Sequence, residues 1–147
     1  MGRWNYGVLL DAGSSGTRAY VYRWLKGDKA RNKASKQELE SLPAVETKKH
    51  WAKKVRPGLS TFADKPEGVR DGYLPDLLQF ALQHIPDDEV EKTPIFLLAT
   101  AGMRQVPHQK QAALMDEACA VIREQTKFYM PDCRENVRVI TLSLIHI

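Results

Sequence analysis

The sequence has no long apolar run and few cysteines, and each shortage excludes a class of protein. No stretch approaches the roughly 20 apolar residues that a membrane-spanning helix needs, and the first residues lack the apolar segment of a secretory leader. Two cysteines among 147 residues cannot form a disulfide framework or a metal site by themselves. Taken alone, Cys119 and Cys133 fit either one bridge in an oxidising compartment or two buried thiols.

An excess of charge of one sign is also lacking. The 22 basic and 18 acidic residues leave a net charge of +4, which is too small to indicate nucleic-acid binding. The densest basic run, residues 26–36, contains no aromatic residue and is interpreted as a solvated loop. We therefore expect no nucleic-acid partner.

Apolar residues make up 43% of the chain, which is enough to form the core of one domain. Its segments predict strands first, and then a helix, a strand, a helix and a strand, an order typical of a mixed sheet with flanking helices. The predicted strands cover residues 6–10, 19–24, part of 50–62, 94–102 and 137–141. The predicted helices run from near Asp71 to Pro86, and onward from Pro107 as a first helical residue.

The first turn, DAGSSGTR at residues 11–18, fits two interpretations. Gly13 and Gly16 free the backbone to curl, so that its N–H groups and nearby hydroxyls can converge on an anion. A hairpin turn without a ligand uses the same residue types. A P-loop is excluded because no lysine follows the glycines, and a nucleophile elbow because Thr17 stands where its last glycine belongs. A dinucleotide fingerprint opens a helix, whereas this turn opens a strand.

The second turn, LLATAGMR at residues 97–104, repeats the arrangement of buried strand, small residues and a basic residue. Ligands in open α/β sheets gather at the carboxyl ends of strands, so both turns can face one cleft. By itself this turn also fits a plain strand-to-helix connection with small residues for close packing.

Three stretches together resemble the apyrase, or nucleoside triphosphate diphosphohydrolase, family, and most of all its fungal Golgi type. DAGSSGTR is similar to the family's first conserved region and ATAGMR to its second. Between them, KVRPGLSTF matches the family pattern K-x-x-P-G-[LI]-S-[ST]-F. The resemblance covers residues 6–141, nearly the whole chain.

This resemblance implies an α/β fold over residues 1–141, the first lobe of the actin-like and hexokinase-like ATPases, with a mixed five-stranded sheet. It implies hydrolysis of the terminal phosphate of nucleoside di- and triphosphates with Ca²⁺ or Mg²⁺. Positioning and charge neutralisation supply most of the catalysis in such reactions.

The resemblance also assigns roles to individual residues. Asp11 would hold the metal through water. The phosphate-binding residues would be Gly13, Ser14, Ser15 and Gly16, with Thr17 and Arg18 supporting that loop. Thr100 and Ala101 would line the side of the attacking water, while Gly102 and Arg104 would support the second turn.

The chain departs from the family after VRVIT, where relatives continue with glycine and an acidic cluster that contains the general base. Here residues 142–147 read LSLIHI, which we interpret as a non-native tail. We expect these 147 residues alone to be inactive, because the base and the second lobe are not among them.

Placement and cysteine pairing follow from the same resemblance. The implied location is the lumenal face of the Golgi membrane, with an anchor expected only in a C-terminal part beyond this chain. A Cys119–Cys133 bridge is favoured for a lumenal protein. Nucleotide preference and oligomeric state stay open.

The alternative function is a non-catalytic nucleotide-binding or regulatory protein with an actin-like lobe. A glutamate after Thr141 in the complete gene would separate the two. The histidines at 50, 84 and 108 do not have the spacing of metal ligands, and the tryptophans at 4, 24 and 51 are predicted to serve packing.

Overall fold

An antiparallel hairpin forms the first unit of the computed structural model, which describes residues 3–26, 51–100 and 103–140 and, for Arg104, only the backbone. Strands β1 (Trp4–Ala12) and β2 (Thr17–Leu25) pair so that Asp11 lies opposite Arg18. Every second residue toward the end of β1 is buried, whereas Asp11 is exposed. The hairpin therefore has one core face and one open face.

Three more strands complete a mixed sheet in the order β3-β2-β1-β4-β5. β3 (Ala52–Val55) runs antiparallel to β2, while β4 (Ile95–Ala99) and β5 (Val137–Val139) extend the sheet in parallel with β1. The prediction of a mixed five-stranded sheet is confirmed. Because β1, β4 and β5 are parallel, their carboxyl ends lie at one edge of the sheet.

Two helices supply the other half of the core. Helix α1 (Leu74–Gln83) buries Leu74, Leu77, Leu78 and Ala81, which are spaced at the helical period. Helix α2 (His108–Gln125) packs its own apolar stripe into the same core. Within the part of the chain that the structure describes, short 3₁₀ segments connect these elements at Leu59–Phe62, Pro66–Arg70, Asp87–Lys92 and Met103–Gln105.

A short helix that the sequence analysis did not predict, α3 (Cys133–Asn136), leads directly into β5. It is capped by the Asp132 carboxylate, which accepts a hydrogen bond from the amide of Arg134 at 3.0 Å. The buried Asn136 amide nitrogen donates to the carbonyl oxygen of Ile95 at 2.9 Å. This contact fixes α3 against the start of β4.

Several element boundaries differ from the predictions: β1 and β2 are longer, and α1 and β4 are shorter. Pro107 has a ψ of 146°, so it caps α2 from outside, and the first helical residue is His108. The last strand ends at Val139 within the described residues, two positions before the predicted end. Most of the basic run at 26–36, His50, Thr141 and the tail at 142–147 lie outside the described residues.

The three tryptophans contact protein groups, as predicted for packing residues. Trp51 is buried, and Trp24 lies against Gly7. The Arg23 guanidinium lies 3.8 Å from the ring centre of Trp4 and 5.3 Å from that of Trp51. Among the described residues, no helix combines the length and hydropathy that crossing a membrane requires.

Candidate functional site

The loop between β1 and β2, residues 13–16, lies at the sheet edge where β1 ends. It is closed by a hydrogen bond from the Gly13 amide to the Gly16 carbonyl oxygen, at 2.9 Å. Ser14 and Ser15 are exposed, whereas Gly16 is buried against β3. A Cβ on Gly16 would lie 2.3 Å from the carbonyl oxygen of Val55, so only glycine fits there.

The turn after β3, residues 56–58, packs directly on this loop. A Cβ on Gly58 would lie 2.2 Å from the carbonyl oxygen of Ser14, so position 58 also accepts only glycine. Within the turn the Arg56–Pro57 peptide bond is cis, and the Thr61 hydroxyl donates to the Gly58 carbonyl oxygen at 2.7 Å. Loop 13–16 and turn 56–58 therefore touch backbone to backbone.

A buried tyrosine joins the same two segments. The Tyr73 hydroxyl lies 2.7 Å from the hydroxyl of Thr17 and 2.7 Å from the carbonyl oxygen of Pro57. Thr17 is fully buried and Tyr73 is 4% exposed. Burial raises the pKa of the Tyr73 phenol, and the Thr17 hydrogen bond opposes this with a smaller lowering. The phenol is therefore neutral near pH 7.

Charged side chains line the open face beside the loop. Asp11 on β1 lies opposite Arg18 on β2, and Arg18 lies opposite Lys54 on β3. The Lys54 ammonium donates to the Ser15 hydroxyl at 2.8 Å. Neighbouring strands are about 4.8 Å apart, so one carboxylate and two cations lie side by side across β1, β2 and β3.

The second turn begins beside the first. The Thr100 amide donates to the carbonyl oxygen of Ala12 at 3.2 Å, and the Ile140 amide donates to that of Ala99 at 2.8 Å. Thr100 is half-buried. Ala101, Gly102 and the side chain of Arg104 lie outside the described residues.

The residue after Gly102 anchors the second turn in the core. Met103 is 1% exposed, and its carbonyl oxygen accepts a hydrogen bond from the Gln111 side-chain nitrogen at 2.7 Å. The same nitrogen donates to the Val106 carbonyl oxygen at 2.8 Å, so helix α2 holds the end of the turn. The chain that leaves the second turn is thereby fixed to the fold.

The acidic residue at this edge suits a hydrated metal ion rather than a closed metal cage. Within residues 3–26, 51–100 and 103–140, no group of three or more histidine, cysteine or acidic side chains is gathered to hold a metal. Asp11 is exposed at the end of β1. Mg²⁺ keeps several waters and is commonly bound by one or two carboxylates together with substrate phosphates. The exposed carboxylate of Asp11, beside a loop rich in glycine and serine, fits that chemistry.

The sequence analysis missed two residues of this arrangement. Lys54 stands inside the matched KVRPGLSTF stretch, but its contact with Ser15 depends on the pairing of β2 with β3. Tyr73 gave no local signal, because it is 56 positions from Thr17 in the chain. Thr17, expected to support the loop, has its hydroxyl directed to Tyr73 in the core.

The fold and the site define an α/β lobe whose sheet edge carries a glycine- and serine-rich loop and an acidic residue. Residues 3–143 match the GDA1/CD39 (nucleoside phosphatase) family, so the chain belongs to that family.

Curated relatives support the same placement. The Golgi apyrase of Schizosaccharomyces pombe is 39% identical over 92% of this chain and 24% of its own length. The Golgi apyrase of Saccharomyces cerevisiae is 36% identical over 92% of this chain and 22% of its own length. Nucleoside-diphosphatase mig-23 of Caenorhabditis elegans is 37% identical over 92% of this chain and 23% of its own length. The chain thus spans about a quarter of the length of these relatives.

A solved structure has the same fold. The chain resembles a nucleoside triphosphate hydrolase from Neospora caninum with a TM-score of 0.54 and 16% identity, over 97% of this chain and 31% of that one. The predicted fold, a lobe of the actin-like ATPases, is confirmed by this likeness and by the strand order.

Proposed function

We propose that the protein containing this lobe is a nucleoside phosphohydrolase, which removes the terminal phosphate of nucleoside di- and triphosphates with a divalent cation. The observation that carries the proposal is the meeting of loop 13–16, Asp11 and Thr100 at one sheet edge, in a chain of the nucleoside phosphatase family. Because the chain spans about a quarter of its relatives, the activity is proposed for the whole protein.

In this proposal loop 13–16 binds the terminal phosphates. The exposed hydroxyls of Ser14 and Ser15 donate to phosphate oxygens, and the open backbone beside Gly13 allows close approach. The Lys54 ammonium, which donates a hydrogen bond to the Ser15 hydroxyl, adds a positive charge next to the phosphate oxygens. Arg18 supports the loop from the neighbouring position on β2.

Asp11 would hold Ca²⁺ or Mg²⁺ through coordinated water, and the cation, when bound, would neutralise charge on the phosphates. Thr100 and Ala101 would line the side from which water attacks, with Gly102 and Arg104 supporting that turn. The hydrogen bond from the Thr100 amide to the carbonyl oxygen of Ala12 holds the start of this turn beside the end of β1, one residue after Asp11. Positioning and charge neutralisation are the contributions that phosphoryl transfer most needs.

The Golgi location is supported by the names of the two fungal relatives, both Golgi apyrases. We propose the lumenal side of that membrane for the complete protein, with the catalytic base and the second phosphate-binding lobe supplied by residues beyond this chain. On that proposal residues 142–147 are a non-native tail, which resequencing the gene from genomic DNA would test.

The test is release of inorganic phosphate from ADP, UDP and ATP by the complete gene product, with Ca²⁺ or Mg²⁺ and with EDTA. We expect metal-dependent release that EDTA abolishes. Nucleotide binding without release would favour a regulatory module instead, although the names of the relatives do not favour that alternative. The 147-residue chain, assayed in parallel, is expected to release no phosphate.

A further inference from the structure

The Tyr73 hydroxyl contacts both the start of the strand that follows loop 13–16 and turn 56–58. It bonds Thr17, the first residue after loop 13–16, and the carbonyl of Pro57 in turn 56–58. The tyrosine immediately precedes helix α1, whose first residue, Leu74, is fully buried. Its ring also packs edge-on against Phe62, with ring centres 4.7 Å apart. The position of this hydroxyl is therefore set by the core.

The direction of the two hydrogen bonds follows from counting protons. A carbonyl oxygen can only accept, so the one phenolic proton of Tyr73 goes to Pro57. The Thr17 hydroxyl must then donate to the Tyr73 oxygen. Its only proton is used inside the core, and Thr17 cannot donate through that hydroxyl to a phosphate. Thr17 thus supports the loop from its core side, through the hydrogen bond to Tyr73.

We infer that Tyr73 is a positioning residue for the phosphate site: its hydroxyl holds loop 13–16 and turn 56–58 as one rigid unit before a ligand binds. The two segments already touch where Gly58 meets the Ser14 carbonyl. Without the hydroxyl, Thr17 and Pro57 lose their shared partner and the loop can separate from the turn. This inference rests on the proposed function, because the loop it positions is the proposed phosphate-binding loop.

The physical effect is preorganisation. A loop that is ordered before binding does not lose that conformational freedom when the phosphate arrives. We expect loss of the Tyr73 hydroxyl to weaken nucleotide binding by about tenfold or more, since small misplacements of positioning groups have effects of this size.

The test compares Tyr73→Phe with Thr93→Val in the complete gene product. Tyr73→Phe keeps the ring and removes only the hydroxyl. Thr93→Val removes a different buried hydroxyl, which donates to the Glu89 carbonyl oxygen at 2.7 Å before the start of β4, the end away from the loop. Binding of α,β-methylene-ADP with Ca²⁺ is titrated at a temperature where both variants are folded. Hydrogen exchange of the Gly13 amide, which bonds Gly16, reports on loop order.

The inference predicts weaker binding and faster Gly13 exchange for Tyr73→Phe, with both quantities unchanged for Thr93→Val. Equal affinity for wild type and Tyr73→Phe would overturn it and leave the proposed function standing. If wild type does not bind the analogue, the proposed function itself fails and the inference falls with it. If Tyr73→Phe does not fold, Thr17→Val replaces it, because this variant also removes the hydrogen bond between Thr17 and Tyr73. The same changes in binding and in Gly13 exchange are then expected, and unchanged affinity would overturn the inference.

Discussion

The Thr100 amide lies 3.2 Å from the carbonyl oxygen of Ala12, to which it donates a hydrogen bond. This bond continues the parallel pairing of β1 and β4 by one step beyond the last strand residue, Ala99. It brings the start of the second turn beside the strand end that carries Asp11. The two conserved-region motifs, nearly 90 residues apart in sequence, therefore begin at the same place in the fold.

The carboxylate of Asp11 is expected to be essential for the metal-dependent reaction. Asp11→Asn keeps the size of the side chain and removes its charge. Groups that hold a metal through water typically contribute 10- to 100-fold, so we expect phosphate release to fall by about that factor. The measurement is the rate of release over a range of Ca²⁺ and Mg²⁺ concentrations.

The matched control is Asp88→Asn, an exposed carboxylate on the 3₁₀ segment that precedes β4. It should leave the rate unchanged. Equal rates for Asp11→Asn and wild type at every metal concentration would remove Asp11 from the site.

Gly16 and Gly13 are expected to respond differently to the same substitution. In Gly16→Ala the new Cβ meets the Val55 backbone oxygen at 2.3 Å, so β3 or the loop must shift at a cost of about 1–3 kcal/mol. In Gly13→Ala the nearest atom is the Gly16 oxygen at 3.7 Å, an ordinary contact, and we expect a change within about 0.5 kcal/mol. Urea unfolding midpoints of the two variants measure the difference.

Binding should separate the same two variants in a second way. A Cβ on Gly13 would make only an ordinary contact with the Gly16 oxygen, and it would sit on the loop where the proposal puts the phosphate. Gly13→Ala is therefore expected to stay folded and bind α,β-methylene-ADP more weakly. A Gly13→Ala protein with wild-type affinity would mean that the phosphate does not approach this residue.

Local sequence was sufficient to predict the five strands and the two longer helices, but not the four-residue helix α3. The signals were the apolar run of β1, the β-branched and aromatic residues of β2 and the helical spacing of the leucines in α1. The start of α2 was predicted one residue early, since Pro107 suits both the first helical position and the cap before it.

The contacts that shape the site could not be predicted in the same way. Gly58 marks a turn in any sequence, but nothing near it indicates that the Ser14 carbonyl packs against it. The Tyr73 bond to Thr17 joins residues 56 positions apart and requires the packing of α1 on the sheet. The family resemblance was enough to predict the loop residues. The groups that hold the loop in place, Gly58 and Tyr73, are visible only in the tertiary structure.

The cysteine pair is expected to be a disulfide when the protein is made in an oxidising compartment. In the structure Cys119 on α2 and Cys133 on α3 are bonded, with Cα atoms 5.9 Å apart. A bridge across a separation of 14 residues stabilises by about 3 kcal/mol in the chain-entropy account. We expect no free thiol under denaturing, non-reducing conditions, and a lower urea midpoint for the double variant Cys119→Ala/Cys133→Ala. Two titratable thiols would refute the bridge.

Alkaline pH is expected to destabilise the fold through one buried phenol, Tyr73, and one half-buried phenol, Tyr22. Burial raises the pKa of Tyr73 above its ordinary value of 10.0. The pKa of Tyr22 is also raised, by burial first and then by the charges of Tyr20 and Asp11. Over the window between the unfolded and folded pKa values the native state binds more protons than the unfolded state, so stability falls as pH rises. The contribution is fully present below about pH 10 and is lost above it.

Unfolding free energies from urea titrations between pH 8 and pH 11 measure this loss. Tyr73→Phe removes one of the two groups and should reduce the steepness of the decline above pH 10, even though the variant is less stable at pH 8. Thr93→Val, which loses a buried hydroxyl but no phenol, should be destabilised at pH 8 and keep the wild-type steepness. If Tyr73→Phe declines as steeply as Thr93→Val, the Tyr73 phenol does not titrate with folding. Its hydroxyl would then not be held in the buried contact between Thr17 and Pro57.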